Sequence, residues 1–244
     1  MKFGIVTTSF EPGLYILETI KSVIEQAGDF EVHYHIQDAN SKDGTIEYLQ
    51  SYFSYINSDA YAVPCRKFTF SYSVEKDNGM YDGINRGFEY ILSQGDVDVM
   101  LWINADDKLA PIALDGLSKY FSDNPNNNWV IGRTLHLNEA GAIILNQPPH
   151  TYRVNDLQHG LHDGVNLPYV TQEACVWRSQ VWDDIGPLDS SLKYAGDFEY
   201  WKRIASAGYK LESVDIDIGF HRKRKGQLSS VGAYDEEVLL VKLT

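Results

Sequence analysis

Two hydrophobic spacings alternate along the first 132 residues of the chain. Short apolar runs are typical of strands, and VDVMLWIN at 97–104 is apolar enough for a strand buried on both faces. Between these runs, apolar residues recur every three or four positions, as in amphipathic helices. This alternation predicts a parallel sheet with right-handed crossovers. The predicted strands are 3–7, 31–38, 68–74, 97–104 and 129–132, and the predicted helices are 16–24, 45–53, 80–91 and 112–121.

The pattern changes near residue 133. A hairpin is predicted over 135–145, and loop-like sequence with several prolines follows over 146–170. One further helix is predicted over 197–207, and a short amphipathic tail ends the chain. We expect a single domain made of a regular half at 1–132, an irregular half at 133–230 and a C-terminal tail at 231–244.

Composition excludes several classes of protein. The 244 residues include 34 acidic and 21 basic side chains, for a net charge of −13, so a broad basic face for nucleic acid is excluded. Cys65 and Cys175 are too few and too far apart for a disulfide framework or a zinc site, which favours a reducing, cytosolic setting. No signal region or membrane-spanning run is expected, although peripheral membrane contact stays open.

Carboxylates lie where several predicted strands end. Asp38 ends the second strand, Asp77 lies shortly after the third, and Asp106 and Asp107 follow the fourth. Open αβ sheets bind ligands at these carboxyl ends. Clustered carboxylates repel one another unless a cation lies among them, and Mg²⁺ and Mn²⁺ prefer oxygen ligands. Asp106-Asp107 is therefore a candidate metal site, with hydrated turn residues as the alternative. Asp43, in contrast, is expected to cap a helix, a role for which Asp38 lies too far away.

Seven motifs resemble those of family 2 glycosyltransferases with the GT-A fold, which are inverting enzymes that use nucleotide sugars. Their order and spacing match over residues 3–230. The resemblance implies an α/β fold with a Rossmann-like, mostly parallel central sheet, helices on both faces and an irregular C-terminal acceptor-side half. The motifs are VTTSF (6–10), QDANSKDGT (37–45), EKDNGMYDGINRG (75–87), WINADD (102–107), QEACVWRS (172–179), GDFEYWKR (196–203) and HRKRKGQLSS (221–230).

On the donor side, the resemblance assigns residues to the nucleotide and to a metal. Thr8 and Asp77 are expected beside the nucleoside, and Asp38 is expected to accept a hydrogen bond from uracil N3–H. Asn104 stands where the family's DxD motif has its first acid, so we expect an amide contact to ribose. Asp106, the third residue of that motif, is expected to bind Mn²⁺ or Mg²⁺.

The basic run near the C-terminus belongs to the same donor site by resemblance. His221 matches a histidine that completes the metal coordination, and Asp107 either adds a ligand or caps the turn. Because no glycine-rich phosphate loop occurs, Arg222 and Lys225 are expected to neutralise the diphosphate. A solvated loop and contact with anionic lipid are the alternatives.

On the acceptor side, Asp197 matches the family's general base, although Gly196 replaces the acid that usually precedes it. An N-cap is the alternative role for Asp197. Glu199 is the second candidate for the base, although helical geometry turns it away from Asp197. Trp177 is expected either at the acceptor pocket or, more simply, in the core. The residues that the resemblance places at the acceptor pocket are Gln172, Glu173 and Trp177.

These roles predict a cytoplasmic enzyme that moves a hexosyl or N-acetylhexosaminyl group from a nucleotide diphosphate sugar, expected to be a UDP-sugar, to a glycan or lipid-linked oligosaccharide hydroxyl. Residues 1–132 would bind the donor and 133–230 the acceptor. The family suggests bacterial surface polysaccharide assembly. Two alternatives stay open. Gly196 and Asn104 suggest a non-catalytic nucleotide-sugar-binding protein, and the sheet suggests a nucleotidyltransferase, although TTSFEPG lacks that class's basic residue.

Overall fold

The computed structural model describes residues 1–58, 60–224, 227 and 233–243. Nine strands occur within these residues, and they form one sheet. The strands are β1 Lys2–Ser9, β2 Gly28–Asp38, β3 Cys65–Val74, β4 Val99–Trp102, β5 Lys108–Leu109, β6 Trp129–Leu137, β7 Ile143–Gln147, β8 Cys175–Arg178 and β9 Leu211–Arg222.

The strand order along the sheet is β3-β2-β1-β4-β8-β6-β9-β5, and β7 pairs with β6. The first four of these strands are parallel to one another, as the alternating pattern predicts. β8 is antiparallel to both of its neighbours, whereas β6 and β9 are parallel. The predicted α/β class with a mostly parallel central sheet is therefore confirmed.

Helices cover the sheet and connect its strands. None of the described helices is both long and apolar enough to cross a bilayer. The helices are α1 Tyr15–Ile24, α2 Thr45–Ile56, α3 Met80–Ser93, α4 Ala113–Asp123, α5 Val154–Gln158, α6 Ser179–Ile185, α7 Gly196–Ser206 and α8 Ala233–Leu243, and a 3₁₀ turn spans Gln172–Ala174.

The second half of the chain is more regular than its sequence pattern predicts. β6 crosses the predicted division near residue 133 without a break, and its pairing with β9 shifts register there. The hairpin predicted over 135–145 is formed by β6 and β7. β8, β9 and α8 have no counterpart in the predicted elements. The tail at 231–244 contains α8, whose Val238 and Val241 are buried against α7.

Four tryptophans pack together beneath the candidate site. Trp102 and Trp129 both stack on Trp201, with ring centroids 5.6 Å apart in each pair. Trp177 meets Trp102 edge to face at 5.4 Å and has no exposed surface. Such large rings dominate the energetics of a core. They join β4, β6, β8 and α7 into one rigid unit, and they place Trp177 in the core rather than at an acceptor pocket.

A glycine in β9 sets how closely the 3₁₀ turn approaches the sheet. A Cβ atom on Gly219 would lie 2.1 Å from the backbone oxygen of Glu173. Real atoms do not approach so closely, so any larger residue at this position forces the turn away from β9. Gly219 thereby fixes the height of the Glu173 side chain above the sheet.

We expect Gly219→Ala to lower the free energy of unfolding by about 1–3 kcal/mol, the usual cost of overpacking a rigid site. Urea denaturation followed by fluorescence measures the change. Gly116→Ala is the control, because Gly116 lies inside α4 and its added methyl group meets only the Ile216 side chain. A Gly219→Ala variant as stable as the control would show that the turn moves freely.

Candidate active site

One cavity of about 800 Å³ opens at the carboxyl ends of β1 and β4. It brings together side chains that lie far apart in the sequence, as expected for the crevice edge of an open αβ sheet. Nine of the residues singled out in the sequence line it, namely Thr8, Asp77, Asn104, Asp106, Asp107, Gln172, Glu173, Asp197 and His221.

Asp38 is not among the residues of the cavity. Its side chain has no exposed surface. Its carboxylate accepts hydrogen bonds from the backbone N–H and the hydroxyl of Ser41, both at 2.8 Å. The neighbouring Ala39 and Asn40 line the cavity instead. In this structure the Asp38 carboxylate closes a local turn, and its expected contact with uracil stays a prediction.

The arginine expected at the diphosphate is also buried. Arg222 has no exposed surface, and its guanidinium donates to the backbone oxygens of Asp106 and Glu139 and to the carboxylate of Glu18. It also lies over the ring of Tyr15, 4.9 Å from the centroid. Arg222 thus anchors the turn after β4 in this structure, and its contact with a diphosphate stays a prediction.

Two further predictions concern Lys225 and Trp177. Lys225 lies outside the described residues. Trp177 is fully buried, which agrees with the simpler interpretation as a core residue. Arg224, two positions after Arg222, does line the cavity.

Thr8 and Asp77 meet at the first turn of α3. A Cβ atom on Gly83 would lie 2.8 Å from Thr8 Cγ2 and 2.9 Å from Asp77 Oδ2, so the glycine makes their close approach possible. Asp77 Oδ1 accepts from the backbone N–H of Gly79 at 3.1 Å. Burial raises the pKa of Asp77, and the negative charge of Asp82 adds to this effect.

Asn104 is held in one orientation by its neighbours. Its Nδ2 donates to Asp107 Oδ2 at 3.0 Å and to Gln172 Oε1 at 3.1 Å. Gln172 is fixed in turn, because its Nε2 donates to the backbone oxygen of Trp102 at 2.8 Å. Asn104 Oδ1 is buried and has no hydrogen-bond partner. A buried acceptor of this kind is costly without a donor, so it suits a ligand hydroxyl.

Asp107, Glu173 and His221 form a compact cluster at the bottom of the cavity. One ligand atom from each lies within 4.8 Å of the others. His221 Nδ1 is 2.9 Å from Glu173 Oε1 and 3.8 Å from Asp107 Oδ1. Burial alone would lower the pKa of His221, but the adjacent carboxylates of Glu173 and Asp107 raise it to about 9. Two carboxylates and an imidazole are a ligand set that fits Mn²⁺.

The two carboxylates of this cluster differ in their ease of ionisation. Burial and the charge of Glu173 hold the pKa of Asp107 well above its ordinary value. Burial acts on Glu173 in the same direction, but the charge and hydrogen bond of His221 prevail and lower its pKa. Asp106 points elsewhere, to a 2.6 Å ion pair with Arg224. In this conformation Arg224 therefore occupies the Oδ2 atom of Asp106.

Asp197 lies in the first turn of α7 and faces the cavity. Its Oδ1 accepts from the backbone N–H of Phe198 at 2.8 Å and lies 3.3 Å from the Tyr81 hydroxyl. Burial raises the pKa of Asp197 to about 6, and the charge of Glu173 contributes to the increase. A carboxylate with a pKa near neutrality can take a proton from a bound hydroxyl. Glu199 is absent from the cavity lining and binds Arg203.

Tyr81 explains the glycine that precedes Asp197. A Cβ atom on Gly196 would lie 2.7 Å from the Tyr81 ring, so the ring occupies the space that any side chain would need. Tyr81 was not singled out by the sequence, although it lies within the motif EKDNGMYDGINRG. The role of Glu173 in the cluster was also missed, because nothing in its spacing links it to Asp107 or His221.

The raised pKa of Asp197 predicts a pH-dependent cost in stability. The unfolded chain ionises this carboxyl near its ordinary pKa of 3.8 and the folded chain only near about 6, so the native state loses stability as the pH rises between these values. Asp197→Asn should therefore raise the free energy of unfolding at pH 7.5 by about 1–3 kcal/mol, with no difference below pH 4. Urea denaturation at several pH values measures it.

Asp183→Asn, on the exposed side of α6, is the matched control and should stay within about 0.5 kcal/mol of the wild type. Equal stability of the wild type and Asp197→Asn at pH 7.5 would show that the ionised Asp197 carboxylate does not destabilise the folded state.

Comparison with known proteins agrees with this architecture. S. aureus TarS 1-349 in complex with UDP-GlcNAc superposes with a TM-score of 0.68 at 17% identity, over 99% of this chain and 65% of that one. A mannosyltransferase from Pyrobaculum calidifontis, in complex with GDP-Man and Mn²⁺, has a TM-score of 0.64 at 14% identity, over 98% of this chain and 62% of that one. The chain thus spans less than two thirds of these structures' length.

No curated protein matches the sequence. The family profile for glycosyl transferase family 2, in contrast, matches residues 5–186, which is most of the chain. The match includes the turn after β4 and the 3₁₀ turn, and it ends before α7. With the shared fold, this match identifies the chain as a glycosyltransferase of family 2.

Proposed function

We propose that this glycosyltransferase moves a sugar from a nucleotide diphosphate sugar, specifically a UDP-sugar, to a hydroxyl of a glycan or lipid-linked acceptor, with inversion at the anomeric carbon. The observation that carries the proposal is a single cavity in which Asp197, with a pKa near 6, lies together with the cluster of Asp107, Glu173 and His221. One group can accept a proton while the cluster binds a cation for the leaving group.

The chemistry is one in-line displacement. The acceptor oxygen attacks the anomeric carbon while the bond to the diphosphate oxygen breaks, and the hydroxyl proton moves to Asp197. The electron pair of the broken bond leaves with the nucleoside diphosphate. An α-linked donor then gives a β-linked product. Because the acceptor oxygen needs an ionised base, turnover should rise as the pH increases through about 6.

The donor would be held along the front of β1 and α3. Thr8 and Asp77 are proposed to contact the nucleoside, and Asn104 Oδ1, buried without a donor, is proposed to accept from a ribose hydroxyl. For the uracil N3–H, Asp38 stays a proposed acceptor, and Asp77, which lines the cavity, is the second candidate. Arg224 would take the diphosphate contact expected of Arg222. TarS in complex with UDP-GlcNAc supports a UDP-sugar, although the mannosyltransferase was solved with GDP-Man.

The ligand set fits a divalent cation, and we propose Mn²⁺ or Mg²⁺. Asp107, Glu173 and His221 would hold it, with Asp106 as a further ligand once Arg224 releases it. Such an ion would supply positive charge for the departing diphosphate. The Mn²⁺ in the mannosyltransferase structure supports this assignment.

The acceptor and the cellular setting are proposed from the family resemblance. Gln172 and Glu173 line the cavity and are the residues proposed to border the acceptor. A lipid-linked oligosaccharide in bacterial surface polysaccharide assembly is the proposed acceptor. The corresponding place of action is cytoplasmic, with peripheral contact at the inner face of the membrane.

The test of the proposed function is turnover of a donor panel. With Mn²⁺ present, the protein should hydrolyse or transfer from a UDP-sugar more readily than from GDP- or CDP-sugars. Asp197→Asn should lower turnover by at least about 100-fold, the low end for a lost general base, and leave the Kd of UDP within twofold. Coupled release of the nucleoside diphosphate and calorimetry measure the two quantities.

Glu199→Gln is the matched control, because this acid lies two residues further along α7 and binds Arg203 outside the cavity. It should retain most of the turnover. Full turnover in Asp197→Asn together with a loss of turnover in Glu199→Gln would show that Asp197 is not the base. No turnover of any donor would contradict the proposed activity itself.

Metal binding can be tested without turnover. The Mn²⁺ affinity, measured by electron paramagnetic resonance of the free ion, should fall at least about tenfold in Glu173→Gln. Loss of a residue that only hydrogen-bonds a metal ligand already has an effect of about this size. Glu199→Gln should bind Mn²⁺ as the wild type does. Unchanged affinity in Glu173→Gln combined with loss in Asp106→Asn would place the ion on Asp106 and not in the cluster.

A further inference from the structure

The segment 193–195, immediately before α7, is held by a carboxylate from the C-terminal helix. Glu237 of α8 accepts hydrogen bonds from three consecutive backbone N–H groups: Lys193 at 2.9 Å, Tyr194 at 2.7 Å and Ala195 at 2.9 Å. Hydrogen bonds to an ionised acceptor are short and roughly twice as strong as neutral ones. α7 begins at the next residue, so Asp197 lies only two positions beyond this contact.

The same segment is fixed from its other side by α3. The Tyr81 hydroxyl donates to the backbone oxygen of Tyr194 at 2.9 Å and lies 3.3 Å from Asp197 Oδ1. Its ring fills the space beside Gly196. Backbone N–H groups on one side and a carbonyl on the other are therefore both satisfied, and the start of α7 has little freedom to shift.

α8 is itself anchored, so the Glu237 carboxylate is presented from a fixed helix. Val238 and Val241 are buried with Ala195 and Phe198. At the far end of α8, Lys242 forms an ion pair with Asp163. Tyr234, one turn before Glu237, lines the cavity together with Lys193 and Tyr194. These contacts make α8 a wall of the cavity and not a loose tail.

We propose that Glu237 is a positioning residue for Asp197, which it places in the cavity by fixing the backbone segment from which α7 starts. The proposal rests on the proposed function, in which Asp197 accepts the acceptor's proton. A general base must lie within hydrogen-bond reach of that proton, and a misplacement of about 1 Å can cost about 100-fold in rate. A glutamate suits the contact because, when ionised, it only accepts hydrogen bonds.

The decisive variant is Glu237→Gln, which keeps the shape but turns an amide NH₂ group towards backbone donors. We expect kcat to fall at least about tenfold, while the KM of the donor and the Kd of UDP stay within twofold, because the donor contacts lie on other elements. Glu236→Gln, on the exposed side of the same helix, should leave kcat unchanged.

A second control separates positioning from stability. Lys242→Gln removes the ion pair with Asp163 and loosens α8 without touching the segment 193–195. It should lower the melting temperature and keep kcat. An equal loss of kcat in Lys242→Gln and Glu237→Gln would mean that α8 contributes only stability, and it would overturn the proposal.

Hydrogen exchange tests the contact without any substrate. The amide protons of Lys193, Tyr194 and Ala195 should exchange at least about tenfold faster in Glu237→Gln than in the wild type, with those of β1 unchanged. Unchanged exchange at these amides would overturn the proposal. Absence of sugar transfer in the wild type would count against the proposed function, whereas the exchange rates would still show whether Glu237 fixes the segment.

Discussion

The buried guanidinium of Arg222 holds together the edge of the sheet on which the site is built. Its backbone N–H donates to Asp107 Oδ1 at 2.7 Å, and its side chain reaches Asp106, Glu139 and Glu18. The guanidinium therefore links the turn after β4, the β6–β7 hairpin and α1. The carboxylates of Asp106 and Asp107 are themselves balanced by other groups, since Arg224 pairs with Asp106 and His221 lies 3.8 Å from Asp107.

The departures from the family pattern have local physical explanations in this structure. Gly196 replaces an acid because the Tyr81 ring lies where the side chain would be. Asn104 replaces an acid beside Asp107, whose carboxylate accepts its amide hydrogen bond. A charged residue at position 104 would add repulsion to a cavity that five carboxylates already line. Neither departure removes a group that the proposed chemistry needs, which weakens the case for a non-catalytic binding protein.

The sequence predicted the parallel half well, because its strands are buried on both faces and its helices keep a regular apolar spacing. It also singled out nine of the residues that line the cavity. It failed where long-range contacts override local patterns. β9 was missed although Val214, Ile216 and Ile218 alternate with acids, which is the spacing of a half-buried strand. Arg222 lies within a run of basic residues, which is typical of a solvated loop, and only the fold shows that it is buried.

The two ends of the cavity depend on different parts of the chain, and the family profile covers only one of these parts. The family profile reaches residue 186 and so includes the turn after β4, but the proposed base Asp197, the nearby Tyr194 and the contact from Glu237 all lie beyond it. The profile therefore covers the proposed donor side, whereas the proposed site of proton transfer depends on α7 and α8. Because α8 packs through only a few apolar side chains, we propose that the hydrogen bonds to its Glu237 carboxylate contribute much of what fixes the position of Asp197.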